Sequence, residues 1–268
     1  MKKFVWLLVA LLVSPALVGA VELQGRFTQG GLIRGKTEPG AHVSLDGRKL
    51  RVSPNGDFVL GFGRDAPGKA VLRIRLDDGV VREKILVVAR RTYAIQRIDG
   101  LPRHFVSPPA SVLARIKRDN AATATVRARD LNQTYYLGDW LRPAAGPISG
   151  VFGSQRILNG KKRRPHYGLD FAGPAGSPVI APADGIVVLA ESDLYYTGVT
   201  VIIDHGHGLT TAYLHMSKRM VKVGDLVKRG QRIGLIGATG RVTGPHLDWR
   251  INWFKQRLDP AFAIPPEK

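Results

Sequence analysis

VTVIIDHGHGLTTAYLHMS, Val199 to Ser217, holds two strand-length runs, VTVIIDHG and LTTAYLHMS, rich in β-branched residues. Glycines 206 and 208 flank His207 between them, so His205 and His207 read as turn residues at a strand end. In TAYLHMS the even positions Ala212, Leu214 and Met216 are apolar, while Thr211, Tyr213, His215 and Ser217 share the other face. Reading outward, GPISGVFGS, PVIAPADGIVVLAE, QRIGLIGA and HLDWRINWF are also of strand length and are bounded by turn signals such as Asp184-Gly185. No long helical pattern interrupts them. The C-terminal part, residues 143–268, is therefore expected to be an antiparallel β-domain folded over on itself, and the chain as a whole to be mainly β.

The last strand alternates in the same way. Leu247, Trp249, Ile251 and Trp253 point to one side, leaving His246, Asp248, Arg250 and Asn252 on the other. A histidine and a carboxylate two residues apart lie roughly 6 to 7 Å apart on one face, near enough for one to hold a metal and the other to touch its water. A pair of no chemical consequence is the alternative. RPHYGLDFAG adds His166 and Asp170, four apart around Gly168. In a straight strand they would be about 13 Å apart, so joint ligation requires a bend that glycine makes easy. Imidazole nitrogen and carboxylate oxygen are both good zinc donors.

Upstream, residues 21–92 carry short alternating segments, AHVSLDG, GDFVLGF, AVLRIRLDD and REKILVVA, the pattern of a small antiparallel β-sandwich. Its His42 has no second candidate ligand nearby and reads as structural or surface. Residues 93–142 form a linker: LPRHFVSPP is a proline-rich connector, and ASVLARIKRDNAATATVRARDL, opened by Pro108 and Pro109, reads as a helix. Val112, Leu113 and Ile116 give that helix an apolar side, so it is expected to lie as a strut on a domain surface. At the start, Lys2 and Lys3 precede a short apolar run, Pro15 and small residues to Ala20, which predicts a secretory signal over residues 1–20, cleaved after Ala20, and a periplasmic or secreted protein.

The 268 residues carry a net charge of +19, falling to +17 without Lys2 and Lys3. For an exported chain such a field favours envelope polyanions and acidic wall peptides, and no nucleic-acid-binding signature accompanies it. With no cysteine there is no disulfide framework and no thiol for a lipid anchor. The remaining apolar runs are too short to span a membrane, so no stable membrane anchor is expected.

Taken together, H-x-x-x-D at His166 to Asp170, APADGIVV, DHGHGLTTAYLHMS with its single downstream histidine, VKVGDLVKRGQRIGLIGATGRVTGP and HLD at 246–248 resemble the lysostaphin-like (LytM-type) zinc endopeptidases. The resemblance runs from about residue 146 to 260. It implies a barrel-sandwich (duplicated hybrid motif) peptidase domain that cuts peptide cross-links of bacterial peptidoglycan. It also implies one zinc ion held by His166, Asp170 and the residue at 248, with His215 and His246 as the catalytic pair. Position 248 departs from the pattern: the family has histidine there, and this chain has aspartate. Carboxylate is an acceptable ligand, but two carboxylates neutralise Zn²⁺, which acidifies bound water less and opens the site to another divalent metal. Tyr213, on the expected face of His215, is a candidate substrate contact. The alternative is a degenerate member that binds the wall or regulates other hydrolases, with an envelope protein as partner. VIAPADGIVV and VKVGDLVKRGQRIGLIG also resemble biotinyl and lipoyl carrier domains. Those require a modifiable lysine beside methionine in an exposed hairpin, which the sequence lacks.

Overall fold

The computed structural model describes residues 21–265, and the expected export signal over residues 1–20 lies outside the described residues. Strand Lys69–Arg75 shows how the N-terminal part builds a sheet with one covered face. Ala70, Leu72 and Ile74 point inward while Lys69, Val71, Arg73 and Arg75 face solvent along its whole length, the period-2 pattern of a sheet with one wet side. It sits in a four-stranded antiparallel sheet with Arg48–Leu50, His42–Leu45 and Val81–Val87. A second antiparallel sheet is formed by Glu22–Gly25, Leu32–Lys36 and Asp57–Gly61. His42 is exposed on its strand.

The C-terminal part is built on one large antiparallel sheet. Its strands run in the order Leu226–Val227, Gly185–Leu194, Gly198–Asp204, Leu209–Met216, His246–Trp253, Leu169–Ala172 and Ile148–Gly150, with Gln256–Leu258 also pairing against His246–Trp253. A smaller antiparallel sheet of Pro178–Ile180, Arg232–Leu235 and Lys218–Arg219 packs with it. The fold is thus mainly β, as the strand-length runs predicted. The cores of the two parts are continuous: Ile33, Phe58 and Leu72 belong to the same buried cluster as Phe171, Tyr213 and Trp249. Asp259 ties them further, its backbone N–H donating to Gly30 O (2.8 Å) and its carboxylate accepting from Arg91 Nη1 (2.8 Å).

The segment between contains helix Ala110–Arg127, which follows Pro109 and buries none of its residues fully. It lies on the outside of the large sheet. Arg115 Nη2 donates to Asp193 O (2.6 Å), and Asp119 Oδ2 accepts from Tyr195 N–H (2.9 Å). The connector before it contributes more than its composition indicated, because Ile95–Ile98 pairs in parallel with Gln155–Leu158. No helix among the described residues is long and apolar enough to cross a membrane.

One local feature positions the site. Along strand Leu209–Met216, Tyr213 pairs with Val201 but Met216 pairs with Val199, so an extra residue is inserted. His215 takes up the slack at φ 64°, the left-handed region that non-glycine residues rarely enter. This β-bulge reverses the expected facing. Thr211 and Tyr213 lie on the core side against Trp249, whereas His215 is turned to the side of Asp248. Tyr213, expected to touch substrate, is fully buried, and its hydroxyl bonds Thr211 Oγ1 (2.9 Å).

Candidate metal centre

The central pairing is a conflict the sheet must resolve. Asp170 and Asp248 are direct cross-strand partners on one face, and both are buried. Like charges placed opposite each other destabilise a sheet, and each buried carboxylate requires a counter-charge. Arg156 Nη2 lies 3.2 Å from Asp170 Oδ2. Arg250, two residues on from Asp248 and on its face, grips both oxygens of that carboxylate, Nε to Oδ1 at 2.9 Å and Nη2 to Oδ2 at 2.5 Å. Burial alone would raise the pKa of Asp248, but Arg250 and His166 more than offset this and hold it well below the usual carboxylate range.

His166 completes the cluster. Its Nδ1–H donates to Val151 O (3.1 Å), which directs Nε2 at Asp170 Oδ1 (3.0 Å) and Asp248 Oδ2 (3.5 Å). Among the described residues, His166 Nε2 and Asp170 Oδ1 are buried without a hydrogen-bond partner. Burial pushes the imidazole pKa down, yet the two carboxylates overcome it and the net direction is upward. A lone pair facing two carboxylate oxygens calls for a cation between them, either a proton or a metal. Donor atoms of His166, Asp170 and Asp248 all lie within 4.8 Å of one another. Zinc–donor bonds of ~2.0 to 2.2 Å place tetrahedral donors roughly 3.3 to 3.6 Å apart, so the set fits a divalent ion.

Space for this cluster depends on two glycines. A Cβ on Gly168 would sit 2.1 Å from Asp248 Oδ1, and one on Gly150 would sit 2.2 Å from Asp170 Oδ2. The chain turns enough at Gly168 for His166 Nε2 and Asp170 Oδ1 to meet at 3.0 Å, and the same glycine leaves room for the Asp248 carboxylate.

The two remaining histidines stand beside the cluster, their rings 5.0 Å apart. His215 Nδ1–H donates to Thr239 O (2.8 Å) and His246 Nδ1–H to Gly244 O (2.9 Å). A carbonyl can only accept, so each neutral ring carries its lone pair on Nε2. His215 Nε2 is 4.0 Å from Asp248 Oδ2. Burial, partly countered by Asp248, pushes the His215 pKa down to about 4, leaving the ring neutral at pH 7. Both histidines line a cleft of about 160 Å³ together with Asp170, Arg156 and Ser149.

His205 and His207 lie away from this face. His205 is buried with Nδ1–H donating to Asp184 O (2.6 Å) and Nε2 against Thr211 Oγ1 (2.8 Å), beneath Trp140. His207 contacts the Tyr136 hydroxyl in a turn where it has φ 51°. Sequence reasoning passed over Arg250 and Arg156. Arg250 was visible as a same-face neighbour of Asp248; Arg156 comes from a separate strand with no spacing to mark it.

The region that carries these residues is similar to known proteins. The model for peptidase family M23 matches residues 164–260. A crystal structure of a putative peptidase M23 from Pseudomonas aeruginosa is 31% identical, with TM-score 0.68, over 89% of this chain and 95% of that one. Peptidoglycan DD-endopeptidase ShyA of Vibrio cholerae is 44% identical over 45% of this chain and 30% of its own length. DD-carboxypeptidase/endopeptidase Mpg of Neisseria meningitidis is 39% identical over 38% of this chain and 24% of its own. The chain thus spans under a third of these curated relatives.

Proposed function

The chain belongs to peptidase family M23, and we propose that it is an exported zinc metalloendopeptidase hydrolysing peptide cross-links of bacterial peptidoglycan. The observation that carries this is the convergence of His166 Nε2, Asp170 Oδ1 and Asp248 Oδ2 at metal-donor spacing, next to a cleft that Asp170, His215 and His246 line together. When bound, zinc would polarise the scissile carbonyl and acidify a water molecule. His246, on the cleft wall, takes the water's proton at Nε2. His215 cannot donate while neutral, because its only N–H is committed to Thr239 O. It therefore serves the leaving amine only by passing on, through Nε2, the proton that His246 takes from the water, the two rings being 5.0 Å apart. The aspartate at 248 does not leave the site over-neutralised. Arg250 withdraws charge from both of its oxygens, so the Asp248–Arg250 pair presents a donor of no net charge, as a histidine would.

In this reading residues 143–268 are the peptidase unit, residues 21–92 a sandwich that shares its core, and residues 93–142 the linker across its outer face. The name of ShyA, a peptidoglycan DD-endopeptidase, supports a peptidoglycan substrate. One observation favours a second reading, a wall-binding or regulatory protein without catalysis: both Asp248 oxygens are already engaged by Arg250. Incubation of purified protein with sacculi separates the two. Release of cross-link peptides by the wild type, with loss in both His246→Ala and Asp170→Ala, is expected. Intact sacculi with zinc-loaded protein would leave only the second reading.

A further inference from the structure

Beside the cleft, and sharing Arg156, Arg241 and His215 with it, is a cavity of about 420 Å³ between helix Ala110–Arg127 and the large sheet. Arg156 and Arg250 on its wall serve the two site carboxylates. Five further guanidinium groups line it, from Arg127, Arg163, Arg164, Arg241 and Arg257. Among the described residues none of these five is ion-paired with a carboxylate. Arg163 donates to the carbonyls of Lys162 and Val106, Arg241 to Phe105 O, and Arg257 to Asn252 Oδ1. Arg127 Nε is buried with no hydrogen-bond partner among the described residues. The wall's one acid, Asp119, already accepts from Tyr195 N–H and faces Arg115.

Crowding this many cations into a half-buried space is costly. Burial, with Arg250 adding to it, holds Arg257 down to about 10, and burial does the same to Arg241. Rings hold two of the guanidinium groups in place, Arg241 lying over Tyr196 at 4.6 Å and Arg257 near Tyr167 at 5.8 Å. Planar forks fixed this way suit carboxylates, which they bind in pairs of parallel hydrogen bonds. The same wall offers Asn120, Thr123 and Thr200, neutral groups that suit a peptide backbone better than a bare ion. The shared His215 joins the cavity to the catalytic cleft.

We propose that this cavity receives the carboxylates of an acidic peptide whose backbone continues past His215 into the cleft. The orientation rests on the hydrolase reading and names its substrate class; the binding itself does not depend on catalysis.

The test uses the full described chain and two fluorescein-labelled peptides, Ala-Glu-Glu-Ala and Ala-Gln-Gln-Ala, measured by anisotropy at low salt. The acidic peptide is expected to bind about tenfold more tightly. Arg164→Gln, at an exposed position, and Arg241→Gln should each weaken it several-fold without changing the glutamine peptide, while thermal midpoints confirm folding. Equal binding of the two peptides, or variants that weaken both alike, would overturn the proposal. So would inorganic phosphate displacing the acidic peptide at the same concentration as unlabelled acidic peptide, which would assign the cavity to a free oxyanion. Zinc content and sacculus digestion on the same samples separate this from the reading it deepens. Selective acidic binding without metal or digestion sinks the hydrolase and leaves the cavity. Digestion with no charge preference does the reverse.

Discussion

Strand Lys69–Arg75 in the sandwich and strand His246–Trp253 in the large sheet follow the same alternation with opposite consequences. The outward residues of the first, Lys69, Val71, Arg73 and Arg75, are exposed. Those of the second include Asp248 and Asn252, which are buried because other chain segments cover that face. A polar face in water needs no partners, and its charges are worth little. A covered polar face must supply a counter-charge for every charge it hides and a hydrogen bond for every neutral polar group, and it is there that chemistry accumulates.

The sharpest way to break this contrast is to remove one counter-charge. Arg250→Gln leaves Asp248 buried without its fork and should lower stability by about 3 kcal/mol, since breaking a buried pair strands a charge. Urea unfolding of the metal-free protein checks it, and a loss comparable to a surface substitution would mean the pair is not a structural unit. A second expected effect of similar size depends on pH. Burial lowers His205 from 6.5 to about 4, so between those values the unfolded chain binds the extra proton. The His205 contribution to stability should therefore fall as pH drops from 6.5 towards 4, by about 3 kcal/mol, with His215, lowered to about 4 as well, adding a similar share. His205→Asn should make the urea midpoint fall about half as steeply across that window, since His215 titrates there too, and an unchanged slope would count against the assignment.

Gly168→Ala sharpens the comparison by adding one methyl group to the covered face. Its Cβ would meet Asp248 Oδ1 at 2.1 Å, so a cost of about 2 kcal/mol and reduced metal uptake are expected. Full zinc loading in that variant would show the carboxylate free to move. At the far end of the scale stands Arg73→Gln. Its Glu83 partner lies across the wet face of the sandwich, with the side chains 60% and 49% exposed. A change under about 0.5 kcal/mol is expected in the same urea series.

The same contrast explains what the sequence disclosed. Alternation placed His246, Asp248 and Arg250 on one face correctly, since that strand runs regularly through all three. It misplaced Tyr213 relative to His215, because the inserted residue is not a glycine and carries no turn signature. A bulge at an ordinary side chain leaves the pattern intact while reversing the facing after it. Gly168 was noticed for the bend and not for the room it leaves Asp248, and Arg156 escaped notice because its partner lies 14 positions on, in another strand. The strand Ile95–Ile98 was hidden in the segment read as linker: its burial alternates, but its two isoleucines stand three apart, so the residue types do not.

Metal analysis of the purified protein, beside its Asp170→Ala and Asp248→Ala variants, tests the centre most directly. One zinc per chain in the wild type, with loss in both variants, is the expected result. A wild type that takes up no divalent ion, or an Asp248→Ala variant that holds zinc as tightly as before, would contradict the assignment of His166, Asp170 and Asp248 as one coordination site.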